Sequence, residues 1–359
     1  MAELPLLCCQ RQQWELEPPL HNARGQWRTR NALNVLVRDR AGGIGQGEAA
    51  PLPDYSFDTL EATERALRAI PAVELERLLQ LEGPAAVVQA TSAVLPAELP
   101  AARFALETAL LDRLGQRQRR PLWSLLRELL AVATEPASAV PLCVLLPSVD
   151  PAAALRAAVH HFTLGVRCFK LKIGPDRLQP AQAALLAALR GELGDAISLR
   201  LDANQSLQRA ELAETFQALA RYRPEFVEEP VSAPEPGELA QLPCGWALDE
   251  SLQRIGAEQL LALSSSPGCR ALVLKPTALG GFGRCAELAE RARARGQAAV
   301  VSHVFEGERA WLACAHLAVA LGPGAAAGLW PMALPGRGSE LVHSGMLQPP
   351  SDPGLGVTP

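Results

Sequence analysis

Short apolar runs return along residues 139–330, and almost every one ends in a charged or polar side chain. The runs are AVPLCVLL (139–146), RCFKLKI (167–173), ISLRLD (197–202), EFVEE (225–229), WALD (246–249), RALVLK (270–275), AAVVSH (298–303) and AAGLW (326–330). Strands buried on both faces read as such near-continuous apolar runs. Helical spacing over 151–161, 178–192, 208–220, 256–262, 283–295 and 307–321 fills most of the gaps. Eight strands alternating with helices predict an α/β fold, a (β/α)8 barrel over residues 136–331. A doubly wound sheet is the structural alternative, but no GxGxxG turn follows any of these strands.

Residues 1–135 have a different texture. RNALNVLVRD (30–39) is strand-like, and the glycine-rich AGGIGQGE (41–48) leads into a second strand. Helical spacing follows over 57–70, 73–82, 101–116 and 122–133. This part reads as a separate α+β unit.

Composition excludes several function classes. A net charge of −4 and 4% aromatic residues leave neither a basic footprint nor a stacking surface for nucleic acid. No apolar run approaches the roughly 20 residues that span a bilayer, and the start, MAELPLLCCQRQQWE, does not read as a signal peptide. The eight cysteines, at 8, 9, 143, 168, 244, 269, 285 and 314, form no CxxC pair. They read as reduced thiols of a cytoplasmic protein rather than a zinc site. The sequence carries no signature of an oligomeric state.

The strand ends carry the chemistry. Lys170 and Lys172 belong to the second run, Asp202 and Asn204 to the third, Glu228 and Glu229 to the fourth, Asp249 and Glu250 to the fifth, Lys275 to the sixth and His303 to the seventh. In a barrel these ends converge on the mouth that carries the active site. Lys170 and Lys172 share a strand face, and two buried ammoniums are costly without anions. Asp202, Glu228 and Asp249 supply that compensation, and three carboxylates from successive strands also suit Mg2+, which takes oxygen ligands and leaves positions for substrate. Asn204 shares a face with Asp202 and reads as a supporting group. Gly280 and Gly281 precede a helix whose N–H end could cradle a substrate carboxylate. His160 and His161 read as structural.

The set KLK (170–172), LDAN (201–204), VEEP (227–230), LDES (248–251) and VLKP (273–276), in that order and spacing, resembles the enolase superfamily, and within it the muconate-lactonizing-enzyme subgroup. The resemblance implies a modified TIM barrel under an N-terminal α+β capping domain, with residues 332–359 returning to the cap. It implies Mg2+, or Mn2+ as a substitute, on Asp202, Glu228 and Asp249. Lys172 and Lys275 would stand on opposite faces of a small-molecule carboxylate substrate, with Lys170 as their neighbour. The shared chemistry is abstraction of a proton α to a carboxylate. GEAAPLPDYS (47–56) and the two-lysine site are most similar to members that go on to eliminate water from a cyclohexadiene carboxylate, which implies a hydro-lyase.

The alternative is an N-acylamino-acid racemase or a dipeptide epimerase. Epimerases of the subgroup place a DxD after the eighth strand, where this chain reads GLWPMALPG (328–336); the dehydrating members often show an aspartate where Trp330 stands. SHVFEG (302–307) resembles the mandelate-racemase subgroup, but that histidine base needs an aspartate at the position of Lys275, so His303 reads as a substrate-pocket residue. A non-catalytic relative would lack a ligand or a lysine, and none is missing. Substrate selection is expected in loops 20–30 and 51–57. Arg24, Arg28 and Arg30 there either steer a dicarboxylate or form a solvated basic loop.

Overall fold

The computed structural model describes residues 6–22, 25–132, 136–147, 150–174, 178–322, 324–331 and 337–357. The chain opens with an antiparallel sheet of β1 (Leu7–Asn22), β2 (Gly25–Arg38) and β3 (Ile44–Ala49) in that order. β2 buries Ala32, Leu33, Val35 and Val37. Helices α1 (Leu60–Arg68), α2 (Ala72–Leu79), α3 (Pro84–Val94), α4 (Pro100–Gln118) and α5 (Leu122–Leu129) follow. α4 packs directly on β3: a Cβ at Gly45 or Gly47 would collide with the carbonyls of Ala109 and Ala105. Glycine at those two positions is therefore what lets helix and sheet approach. β1 and α3 are elements that the sequence reading did not delimit.

The second part holds β4 (Val140–Pro141), β5 (Cys143–Leu145), α6 (Pro151–Thr163), β6 (Cys168–Lys172), α7 (Pro180–Leu193), β7 (Ser198–Asp202), α8 (Leu212–Ala220) and β8 (Phe226–Glu228). It continues with α9 (Pro236–Leu239), β9 (Trp246–Leu248), α10 (Ser251–Arg254), α11 (Ala257–Ser264), β10 (Cys269–Leu274), α12 (Pro276–Leu279), α13 (Phe282–Ala294), β11 (Ala298–Val301) and α14 (Glu308–Leu321). Strands β5 to β11 form one parallel sheet in sequential order. The expected eighth strand, 326–330, is reduced to two single-residue bridges, Leu142 with Ala327 and Ser302 with Gly328. Because these bridges join residues next to the sheet's two outer strands, the segment closes the sheet into a barrel. Phe226, Ala247, Ala271, Val273 and Val300 fill the interior. The fold is thus a modified (β/α)8 barrel with a separate N-terminal α+β unit.

The C-terminal residues tie the two parts together. β12 (Val342–His343) and β13 (Met346–Leu347) form a small antiparallel sheet with β4. Gly354 then exchanges backbone hydrogen bonds with Leu122 and Arg120, and the Leu355 N–H donates to Asp112 of α4. Among the described residues no helix is long and apolar enough to cross a membrane.

Candidate active site

The strand register brings the predicted side chains together. Lys172 pairs with Asp202, and Asp202 with Glu228. Asp249 and Lys275 follow directly on β9 and β10. Side chains alternate along a strand, so Lys170, Lys172, Asp202 and Glu228 all face the barrel axis. Lys170, Lys172, Asp202, Asn204, Lys275 and His303 line one cavity, with Leu145, Ser302, Phe305 and Trp330 around them and Leu52 and Tyr55 supplied by the loop after β3.

Lys170 is the hub. Its Nζ donates to Glu228 Oε1 at 2.6 Å and lies 2.9 Å from Asp202 Oδ2. Burial opposes its charge, but the two carboxylates more than offset that cost and hold its pKa well above the ordinary lysine value. Lys275 is in the same condition through an ion pair with Asp249. It also donates to the Tyr55 hydroxyl at 3.0 Å, which in turn donates to Asp249 Oδ1 at 3.0 Å. Lys172 differs: it donates to Asn204 Oδ1 at 3.0 Å and has no direct carboxylate partner among the described residues. Burial lowers its pKa; Asp202 opposes this, and Lys170 and Lys275 add to it. Three lysines of one cavity therefore fall into two classes, two held charged and one pushed toward the neutral amine.

The acids divide likewise. Glu228 faces Lys170, whereas Glu229 turns away and accepts from the Asp249 N–H at 2.6 Å and from the Ser251 N–H and Oγ, both at 2.8 Å. Glu229 thereby fixes the backbone that presents Asp249. Glu229 (φ 44°), Asn204 (φ 44°) and Gln205 (φ 65°) all adopt left-handed backbone conformations, strain that gathers at this rim. Burial, with repulsion among the acids, pushes Glu228 up to about 8 and Glu250 up to about 7.

The donor chemistry fits a hard divalent cation. Asp202, Glu228, Glu229, Asp249 and Glu250 outnumber the three ammoniums, and Glu250 Oε2 is buried without a hydrogen-bond partner. Among the described residues no three acidic, histidine or cysteine side chains stand in preformed metal-ligand geometry, because Lys170 and Lys275 occupy the oxygens of the three candidate ligands.

Two sequence expectations are corrected. Gly280 (φ 91°) and Gly281 (φ 105°) do not line the cavity. The N–H end of α13 is taken by Glu107 of α4, whose Oε2 accepts from the Phe282 N–H at 2.6 Å, and a Cβ on Gly281 would fall on that carboxylate. The glycines serve a seam between α4 and the barrel, and the carboxylate at this helix end is the protein's own Glu107. Arg30 is neither solvated nor free to steer a ligand. It is 1% exposed and its guanidinium donates to the carbonyls of Ala50, Pro51 and Phe305 at 2.6–3.0 Å. Arg28 is exposed, and Arg24 lies outside the described residues. His161 packs edge-on against Trp330.

Sequence reasoning passed over Tyr55, which carries the link between the N-terminal unit and the Asp249–Lys275 pair, although GEAAPLPDYS contains it. It also passed over Glu306, buried beside His303, which accepts from Thr277 Oγ1 at 2.6 Å and the Val304 N–H at 2.7 Å.

Comparisons with known proteins agree with this architecture. The family model "Enolase C-terminal domain-like" matches residues 152–359. The o-succinylbenzoate synthase of Thermosynechococcus vestitus is 31% identical over 311 residues, covering 84% of this chain and 85% of that protein. That of Desulfotalea psychrophila is 30% identical, covering 70% of this chain and 73% of that protein. A dipeptide epimerase from Methylococcus capsulatus, solved with Mg and L-Arg-D-Lys, superposes with a TM-score of 0.81 at 25% identity over 98% of both chains. Muconate lactonizing enzyme from Pseudomonas fluorescens superposes with a TM-score of 0.80 at 22% identity, over 99% of this chain and 96% of that one. The chain belongs to the enolase superfamily and is an enzyme of its lyase and racemase branch.

Proposed function

We propose that the chain is an o-succinylbenzoate synthase of menaquinone biosynthesis: a Mg2+-dependent hydro-lyase that removes the α-proton of 2-succinyl-6-hydroxy-2,4-cyclohexadiene-1-carboxylate and expels its hydroxyl as water. The observation that carries this reading is the division of the lysines. Lys172 alone is pushed toward the neutral amine that a base requires, while Lys275, four strands away across the mouth, stays charged. The synthases among the relatives support the choice of substrate.

Lys172 Nζ spends one N–H on Asn204, which orients its lone pair. Abstraction leaves two negative charges on the substrate carboxylate, and a fixed cation placed where they develop is worth several kcal/mol. Lys275 supplies one such charge, positioned by Asp249 and Tyr55. Asp202, Glu228 and Asp249 would hold Mg2+, or Mn2+ with the same oxygen donors, and the bound ion would stabilise the same developing charge. Lys170 and Lys275, which now hold those oxygens, would yield them to the ion. Lys172, protonated by the first step, returns its proton to the departing hydroxyl. Leu52, Leu145, Phe305 and Trp330 offer apolar walls for a ring, and His303 and Asn204 are its polar contacts.

Racemisation of an N-acylamino acid would use the same two lysines as alternating acid and base. The ion pair that holds Lys275 charged disfavours it in the basic half of that cycle. At the eighth strand an epimerase would offer an acid to the substrate ammonium; here Trp330 lines the cavity, and 332–336 lie outside the described residues.

The test is direct. Purified protein with Mg2+ should aromatise the cyclohexadiene substrate. Racemisation and α-deuterium exchange of N-succinylamino acids in D2O, without any dehydration, would overturn the assignment in favour of the racemase.

A further inference from the structure

Beneath the cavity lies a pair of thiols to which the proposed reaction gives no task. Cys143 of β5 and Cys168 of β6 are direct register partners on adjacent parallel strands. Both are buried, and as register partners their side chains leave adjacent strands on the same face of the sheet. Cys168 lies two residues before Lys170, so both point to the barrel axis. Cys143 lines the substrate cavity, which gives small molecules a route to its sulfur.

The surroundings favour the thiolate there. The neighbouring Cys168 thiol lowers the Cys143 pKa, burial opposes this, and the cations of Arg200 and Lys170 lower it further against the charge of Glu225. Arg200 is the register neighbour of Lys170, and its guanidinium is fixed by Glu225 and the Ala326 carbonyl. A cavity-facing thiol next to fixed cations, with a second thiol at the register position on the neighbouring strand, is the arrangement of a reactive cysteine and its resolving partner.

The geometry points to Cys143 and Cys168 as a hydroperoxide-sensitive dithiol built into the floor of the active site. The Cys143 thiolate attacks one peroxide oxygen, the O–O bond breaks, and the sulfenic acid forms as the alcohol or water leaves with a proton. The Cys168 thiol then attacks that sulfur, forming the S–S bond and releasing water. The two thiols are oxidised by two electrons and the peroxide is reduced by two. Register partners on neighbouring strands lie roughly 4.8 Å apart, inside the Cα window of about 4.4–6.8 Å for a disulfide. Closing the bond draws β5 toward β6 directly below Lys170, so oxidation disturbs the ammonium that holds Asp202 and Glu228. A bridge that borders the cavity is within reach of dithiols, which makes the modification reversible.

Full-length protein is treated with hydrogen peroxide, digested without reduction and mapped by mass spectrometry. The expected result is a peptide pair linked through Cys143 and Cys168, loss of two free thiols per chain, and restoration of both by dithiothreitol. Catalysed α-proton exchange should fall and recover in parallel. The peptide map does not depend on which substrate the enzyme uses, so failure of the functional assignment and failure of this proposal are separate results. Cys168→Ala should give no linked peptide and should let dimedone label Cys143. All eight thiols surviving the treatment, a link between other cysteines, or no dimedone label on Cys143 in Cys168→Ala would each overturn the proposal.

Discussion

Replacing Glu107 by glutamine should flatten the dependence of stability on pH. Glu107 belongs to α4 yet caps the barrel helix α13, accepting from the Phe282 N–H at 2.6 Å, while its Oε1 is buried without a partner. Burial pushes its carboxyl up to about 8, against the opposing N–H groups of Phe282 and Gly283 and the charge of Arg103. In the unfolded chain it titrates near 4.5. Below that pH both states hold the proton and stability does not change. Between there and about 8 the folded state keeps a proton that the unfolded state has released, so stability falls as pH rises. The slope for one such group is about 1.4 kcal/mol per pH unit, and allowing for relaxation of the site the whole window is worth roughly 2–4 kcal/mol. Glu48, Asp58 and Asp112, also raised, contribute their own shares. Glutamine cannot release the proton, yet its carbonyl can still accept from Phe282. Denaturant unfolding at pH 5.5, 7 and 8.5 should therefore show the variant gaining on the wild type as pH rises. Parallel curves would refute the reasoning.

Further outcomes follow from the same contacts. Tyr55→Phe removes the hydroxyl between Lys275 and Asp249 and, at about 1–3 kcal/mol for such a loss, should lower kcat about tenfold or more with an unchanged circular dichroism spectrum. Arg30→Ala leaves three backbone carbonyls without their donor and should cost about 2–4 kcal/mol in denaturant unfolding; a raised KM with unchanged stability would instead mark it as a ligand-steering residue. Dialysis against a chelator should abolish turnover, Mg2+ should restore it, and Asp249→Asn should weaken that restoration, read as a higher Mg2+ concentration at half-activity.

The barrel was legible because buried parallel strands leave continuous apolar runs, and the mouth because each run ends in its polar residue. The eighth strand was over-read: 326–330 is apolar enough, but it pairs only through Ala327 and Gly328. The four-residue helices α9, α10 and α12 are too short to show a period. β1 stayed indistinct because QRQQWELEPP alternates poorly and carries two prolines. Contacts between distant segments were invisible. A glycine pair before a helix signals a turn with positive φ, but not that Glu107, far away in the chain, fills the space beyond it. Arg30 read as basic loop because its three partners are backbone carbonyls, which no side-chain pattern reveals. The lysines were found as a set; their division into charged and neutral needed the distances.

That division can be tested on the reacting proton itself. With Mg2+ and the cyclohexadiene carboxylate in D2O, washout of the α-proton is followed by NMR for wild type, Lys172→Ala and Lys275→Ala. The account predicts no washout in Lys172→Ala, with the fold intact by circular dichroism, and slowed but measurable washout in Lys275→Ala. Washout at the wild-type rate in Lys172→Ala would contradict it.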